Sequence, residues 1–149
     1  MIVFKITIVK YSDKLPSSGN PARWNPKDVK IIYTAGSRAL ACLENVVHRT
    51  SRGLQENFKT LLIEIPDNLK ISVIDRKKLI ADWHSYQNMP YTQNIGDEWV
   101  KSQNSPVLRV PSVIIPEEYN YLINLEHKDF NKIKLISTES FEFDIRIKG

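Results

Sequence analysis

At 149 residues, with 42% hydrophobic and 26% charged residues, the chain is long enough to bury a core, and its composition argues against disorder. The single cysteine, Cys42, excludes an intrachain disulfide and points to a reducing, cytoplasmic setting. A net charge of +4 and a pI near 9.1 suit an anionic ligand, an acidic protein partner or nucleic acid. The lysines and arginines are scattered, however, and fall short of the basic stripe of a dedicated nucleic-acid binder.

In chain order, residues 2–9 (IVFKITIV) read as a strand from their β-branched content, and not as a signal peptide. Residues 12–22 are turn formers. A short buried strand is expected over 30–34, followed by a helix that Ser37 caps and that runs to about residue 50. At 100° per residue, Leu40, Leu43 and Val47 centre its apolar stripe, which Ala39 and Val46 widen. Glu44 falls about 40° from Leu40, on the border of that stripe, with His48 one turn on. A carboxylate placed there lies where a cleft wall would be.

Strands are expected over 58–65 and 69–74, a short helix over 75–84, and a polar loop over 85–98, with Trp99 in a brief helical turn. The stretch 107–115 is strand-like, with Pro111 marking an edge or bulge. Further strands follow over 119–125 and 133–136. The alternation of Phe141, Phe143, Ile145 and Ile147 predicts a last strand over 140–149. No run approaches the roughly 20 apolar residues of a membrane span. The sum is one domain, residues 1–149, of the α+β class with a mixed, mainly antiparallel sheet and few helices.

The chemistry-bearing residues allow two readings each. Arg23 can grip phosphate oxygens bidentately, or stack on Trp24 at the surface. Tyr33 can offer a ring face to a flat heterocycle, or sit in the core with its hydroxyl satisfied. Glu44 can stabilise positive charge on a sugar ring, or pair with Arg49 or Arg52. Ser112 can donate to a phosphate or ribose oxygen, or be a polar edge residue. The three histidines and one cysteine have no metal-ligand spacing, and no metal is expected. Walker-type and Rossmann glycine loops are absent, so side chains must hold any nucleotide phosphates.

Taken in order, Arg23-Trp24-Asn25, Tyr33, Ala39-Leu40-Ala41 leading to Glu44 and His48, Gly96-Asp97 with Trp99, Val110-Pro111-Ser112, Pro116 with Glu118-Tyr119-Asn120, and Asn124 with His127 resemble the RES-domain family. These are bacterial toxins of type II toxin–antitoxin systems, named for an arginine, a glutamate and a serine. The likeness spans residues 2 to 130. It departs at Pro21 and Ala22, where the family has two glycines, and at Leu125, where it has a proline.

The resemblance implies a fold similar to ADP-ribosyltransferase toxins and an enzyme that consumes NAD⁺. It would cleave the nicotinamide–ribose bond by hydrolysis or phosphorolysis, or pass ADP-ribose to a protein. In that reading Arg23 takes the diphosphate, Tyr33 stacks near the nicotinamide and its ribose, Glu44 faces the ribosyl cation, and Ser112 hydrogen-bonds the dinucleotide. Trp24 and Asn25 shape the turn, and His48 either orients Glu44 or is an ordinary helix histidine. An antitoxin with a helix-turn-helix domain is the implied partner, through which alone nucleic acid would be reached; a homodimer is left open. The competing class is a non-enzymatic nucleic-acid-binding module, whose affinity would fall steeply with salt.

Overall fold

The computed structural model describes residues 1–15 and 17–148. Seven strands form one mixed sheet: β1 (Ile2–Ile8), β2 (Ile31–Ala35), β3 (Phe58–Glu64), β4 (Ile71–Val73), β5 (Val107–Pro111), β6 (Tyr119–Asn124) and β7 (Lys134–Phe141). Their order is β4-β5-β6-β2-β1-β3-β7, antiparallel throughout except for the β4–β5 pair. The expected α+β class with a mainly antiparallel sheet is therefore the observed one. Two helices accompany it, α1 (Arg38–His48) and α2 (Met89–Ser102).

One irregularity in the sheet matters for everything that follows. β1 matches β3 along its whole length, from Ile2 opposite Glu64 to Ile8 opposite Phe58. Against β2 it keeps a single register pair, Phe4 opposite Ala35. Beyond that pair the two central strands part, and the gap between them opens into a cleft whose lining includes Lys5, Ile6, Thr7, Tyr33 and Thr34.

Three apolar clusters hold the sheet. Val3, Ile32, Leu61, Ile63 and Ile123 fill one, and Ile6, Ala35, Leu40, Ala41 and Phe58 seat α1 on β1 and β2. In the third, Trp24, Trp83, Trp99, Leu108, Val110 and Leu122 join α2 to the turn before β2. Each fully buried branched or aromatic side chain stabilises the fold by roughly 1.5–3 kcal/mol relative to exposure.

Four expectations need correction. The apolar stripe of α1 is rotated: Leu40 and Ala41 are buried, but Leu43 and Val47 are 38% and 50% exposed. The helix turns its Glu44–Asn45 side inward because Asn45 donates from Nδ2 to the Ile6 carbonyl at 3.1 Å, a polar seat that an apolar count does not register. The expected helix over 75–84 is a 3₁₀ turn (Arg76–Lys78), capped by Asp75. The expected loop over 85–98 is most of α2, with Pro90 in its first turn, where a missing N–H costs nothing, and Thr92, Gly96 and Trp99 on its buried face. The expected strand over 140–149 ends at Phe141; Ile145 is 92% exposed, while Phe143 folds back edge-on against Phe58 and Phe141. No helix among the described residues is long and apolar enough to cross a membrane.

Candidate active site

The parting of β1 and β2 leaves a cleft of roughly 1490 Å³, walled by the loop before β2, by α1, and by the start of α2. Arg23, Tyr33 and Glu44 all line it. Sequence placed these three within one turn-strand-helix unit, and the fold brings their side chains to one cavity.

Arg23 sits on a tight turn closed by reciprocal backbone bonds between Ala22 and Asn25. Asn25 is buried and donates from Nδ2 to the carbonyls of Asn20, Pro26 and Val29, which ties the whole loop to one side chain. The Tyr33 hydroxyl accepts from the Trp24 N–H at 3.0 Å and donates to Asn25 Oδ1. Burial pushes the Tyr33 phenol well above its ordinary range, so it stays protonated and keeps donating. Of its two sequence readings, the satisfied hydroxyl is realised, and the ring also lies on the cleft wall.

Helix α2 clamps this turn from outside. Thr92 Oγ1 donates to the Arg23 carbonyl at 2.6 Å, and Gln93 Nε2 to the Ala22 carbonyl at 2.9 Å. At Gly96 the helix touches the turn: a Cβ there would lie 1.6 Å from the Trp24 oxygen. The Gly96 of the sequence pattern is thus explained by close backbone approach. Trp99, three residues on, anchors the helix by donating from Nε1 to Ser105 Oγ at 3.0 Å. The Arg23 guanidinium reaches across to the Ser85 carbonyl at 3.0 Å. Partial burial lowers its pKa from the ordinary arginine value, and no carboxylate pairs with it among the described residues.

Glu44 projects from the inward side of α1, half-buried, and pairs with neither Arg49 nor Arg52. Arg49 instead donates to Asn45 Oδ1 and lies over the Phe58 ring. Burial pushes the Glu44 carboxyl above its ordinary 4.5, opposed in turn by the Asn120 amide, the Ser112 hydroxyl and His48. Ser112 is fully buried behind Glu44 and is not on the cleft wall. Its Oγ donates to Glu44 Oε1 at 3.3 Å and accepts from the Ile114 and Ile115 N–H groups at 3.0 and 3.2 Å. The sequence reading gave that hydroxyl to the ligand; the fold gives it to the glutamate. Asn120, which the sequence reading left without a role in the site, also faces the cleft, its amide donating to the Thr34 carbonyl.

Other residues of the sequence pattern serve the frame. His127 is buried, with Nε2 at 3.0 Å from the Gln103 carbonyl and Nδ1 accepting from the Asp129 N–H. Asn124 is buried and caps the turn that follows β6 through Glu126 N–H. Pro21 and Ala22 both lie on the cleft wall, and neither has a positive φ, so the turn does not need glycine conformations there.

The fold and the cleft define a class: an α+β domain with a split central sheet and a cleft lined by one carboxylate, Glu44, and by basic residues that include Lys5, Arg23 and Arg49. The RES domain family model matches residues 4–144, and the chain belongs to that family. It is 42% identical over 127 residues to "Prs ADP-ribosylating toxin" of Sphingobium, covering 84% of this chain and 79% of that one. It is 37% identical over 127 residues to "Toxin Res" of Yersinia enterocolitica, with 85% and 83% covered. To "Toxin Res" of Photorhabdus laumondii it is 34% identical over 152 residues, with 99% and 97% covered. Among solved structures, the M. tuberculosis MbcT–MbcA toxin–antitoxin complex contains a chain of the same fold. The TM-score is 0.76 at 16% identity, covering 95% of this chain and 84% of that one.

Proposed function

We propose that this chain is the toxin of a toxin–antitoxin pair and that it acts on NAD⁺, breaking the bond between nicotinamide and ribose. The observation that carries the reading is Glu44: one carboxylate, in no ion pair with a lysine or arginine among the described residues, held by Ser112 and Asn120 on the wall of a cleft otherwise lined by Lys5, Arg23, His48 and Arg49. Such a site suits a ligand that is anionic at one end and becomes cationic at the other. NAD⁺ is that ligand, with its diphosphate and its ribosyl carbon.

When the C1′–N1 bond breaks, its electron pair neutralises the pyridinium, so nicotinamide departs without a general acid. The ribose is left as an oxocarbenium ion. Glu44, fixed before the reaction begins, stabilises that developing charge; loss of one preorganised electrostatic group typically costs about 10²–10³ in rate. Arg23 binds the diphosphate, and the Tyr33 ring packs beside the nicotinamide ribose while its hydroxyl keeps the Arg23 turn in place. Water or phosphate then attacks C1′ and releases a proton, giving ADP-ribose or its 1″-phosphate.

A second reading is transfer of ADP-ribose to a protein, favoured by the Sphingobium relative named an ADP-ribosylating toxin. Mass analysis of products after incubation with NAD⁺, with and without phosphate, separates the outcomes. Free ADP-ribose means hydrolysis, ADP-ribose-1″-phosphate means phosphorolysis, and a mass increment on a protein means transfer. Unconsumed NAD⁺ refutes the reading. The antitoxin is the expected partner, in keeping with the toxin–antitoxin complex that shares this fold, and the cytoplasm, where NAD⁺ lies, is the expected location.

A further inference from the structure

The parting of β1 and β2 leaves a backbone carbonyl, that of Tyr33, outside the register of the ladder. Lys5 Nζ donates to it at 3.3 Å. A lysine in the middle of a central strand is unusual, because its ammonium must find partners inside the protein. This one finds a single carbonyl. Among the described residues no carboxylate pairs with it, and two of its three donors meet no acceptor. The side chain lines the same cleft as Arg23 and Glu44.

We propose that Lys5 is a second phosphate-binding cation of this cleft, beside Arg23 on its wall. The proposal rests on the NAD⁺ reading above for the identity of the ligand. Its geometry follows from the Tyr33 main chain: the carbonyl fixes the ammonium, and the hydroxyl of the same residue fixes the turn that carries Arg23. One residue therefore sets the position of both cations. Burial without a counter-charge lowers the Lys5 pKa from 10.5 to about 8, the condition of a cation that gains from an arriving anion. The other ionisable groups on the cleft wall are Arg23, Tyr33, Glu44, His48, Arg49 and Tyr86; only Glu44 among them is a carboxylate.

The phosphate in question is either the dinucleotide's diphosphate or the free phosphate that attacks C1′. Calorimetric titration of the full chain and of Lys5→Gln and Lys5→Met with ADP-ribose, nicotinamide riboside and inorganic phosphate distinguishes the two. Glutamine retains a donor for the Tyr33 carbonyl while removing the charge, so it folds if the cap is all that lysine supplies. The expected result is that Lys5→Gln weakens ADP-ribose about ten- to a hundredfold and leaves nicotinamide riboside, which has no diphosphate, unchanged. Loss confined to inorganic phosphate assigns Lys5 to the attacking phosphate instead. Unchanged affinity of Lys5→Gln for both anions overturns the proposal and leaves Lys5 a structural cap. A wild-type chain that binds inorganic phosphate through Lys5 but neither ADP-ribose nor nicotinamide riboside overturns the NAD⁺ reading and not the phosphate site.

Discussion

Gly96→Ala isolates the contact between α2 and the Arg23 turn. A β-carbon built at Gly96 lies 1.6 Å from the Trp24 carbonyl oxygen and 2.8 Å from its carbon, both main-chain atoms that no rotamer change can move. A tolerable carbon–oxygen contact is about 3.3 Å, so helix and turn must separate by roughly 1.7 Å. A displacement of that size carries the Thr92 and Gln93 bonds, now 2.6 and 2.9 Å, out of reach. Overpacking costs about 1–3 kcal/mol and each lost bond about 1 kcal/mol, giving about 3–5 kcal/mol in all. For a chain of this size that lowers Tm by about 6–20 °C. Arg23 moves with its turn, and a 1 Å misplacement of a positioning group costs on the order of 10²-fold in rate. Thermal melts and NAD⁺ consumption read the two effects, with Gly53→Ala as control, since its β-carbon meets nothing closer than 3.5 Å. A Gly96→Ala chain that melts within about 2 °C of wild type and keeps full activity refutes the role given to this contact.

Ser112→Ala removes a donor from Glu44 and an acceptor from two backbone N–H groups. It should cost about 1–3 kcal/mol of stability, raise the Glu44 pKa further, and shift the acid limb of the activity profile upward with little change in KM. A raised KM with an unmoved acid limb would return Ser112 to direct ligand binding. Tyr33→Phe keeps the ring but frees the Trp24 N–H and the Asn25 amide oxygen; denaturant melts should show a loss of about 1–3 kcal/mol, and turnover should fall as the Arg23 turn loosens. Because the folded pKa of Glu44 lies above its ordinary 4.5, its ionised form disfavours the fold. Stability tied to its protonation is present below 4.5 and lost as pH rises through the folded value. Glu44→Gln should accordingly be at least as stable as wild type at pH 7, the difference closing as the solution is acidified; equal pH profiles for the two proteins would contradict the burial given to Glu44.

How far the sequence alone reached depended on whether a feature was local. The strands β1, β2 and β3 and the Ser37 cap on Leu40 N–H rest on short-range pattern and capping chemistry, and the fold has them where pattern placed them; Glu44, expected on the border of the apolar stripe, lies instead on the inward side of the rotated helix. Helix α2 escaped because its inward face is made of Thr92, Gly96 and Trp99, which score as polar, small and isolated; Pro90 at its start was the available signal. The alternation after Ser140 misled because its aromatics pack on one another and on Phe58 and not along a continuing strand. Within the site, Arg23, Tyr33 and Glu44 come from one contiguous unit and were legible. The family resemblance names Ser112 and carries Asn120 in the same pattern without a role, while Lys5 is not singled out; all three reach the site through strand order, which no local pattern carries.

The central claim is that a fixed carboxylate at Glu44 stabilises the ribosyl cation of NAD⁺. Single-turnover release of nicotinamide, measured on wild type and on Glu44→Gln with NAD⁺ binding titrated in parallel, tests it most directly. The account predicts a Glu44→Gln protein that binds NAD⁺ about as well as wild type and releases nicotinamide about 10²–10³-fold more slowly. Release at the wild-type rate from that variant would contradict it.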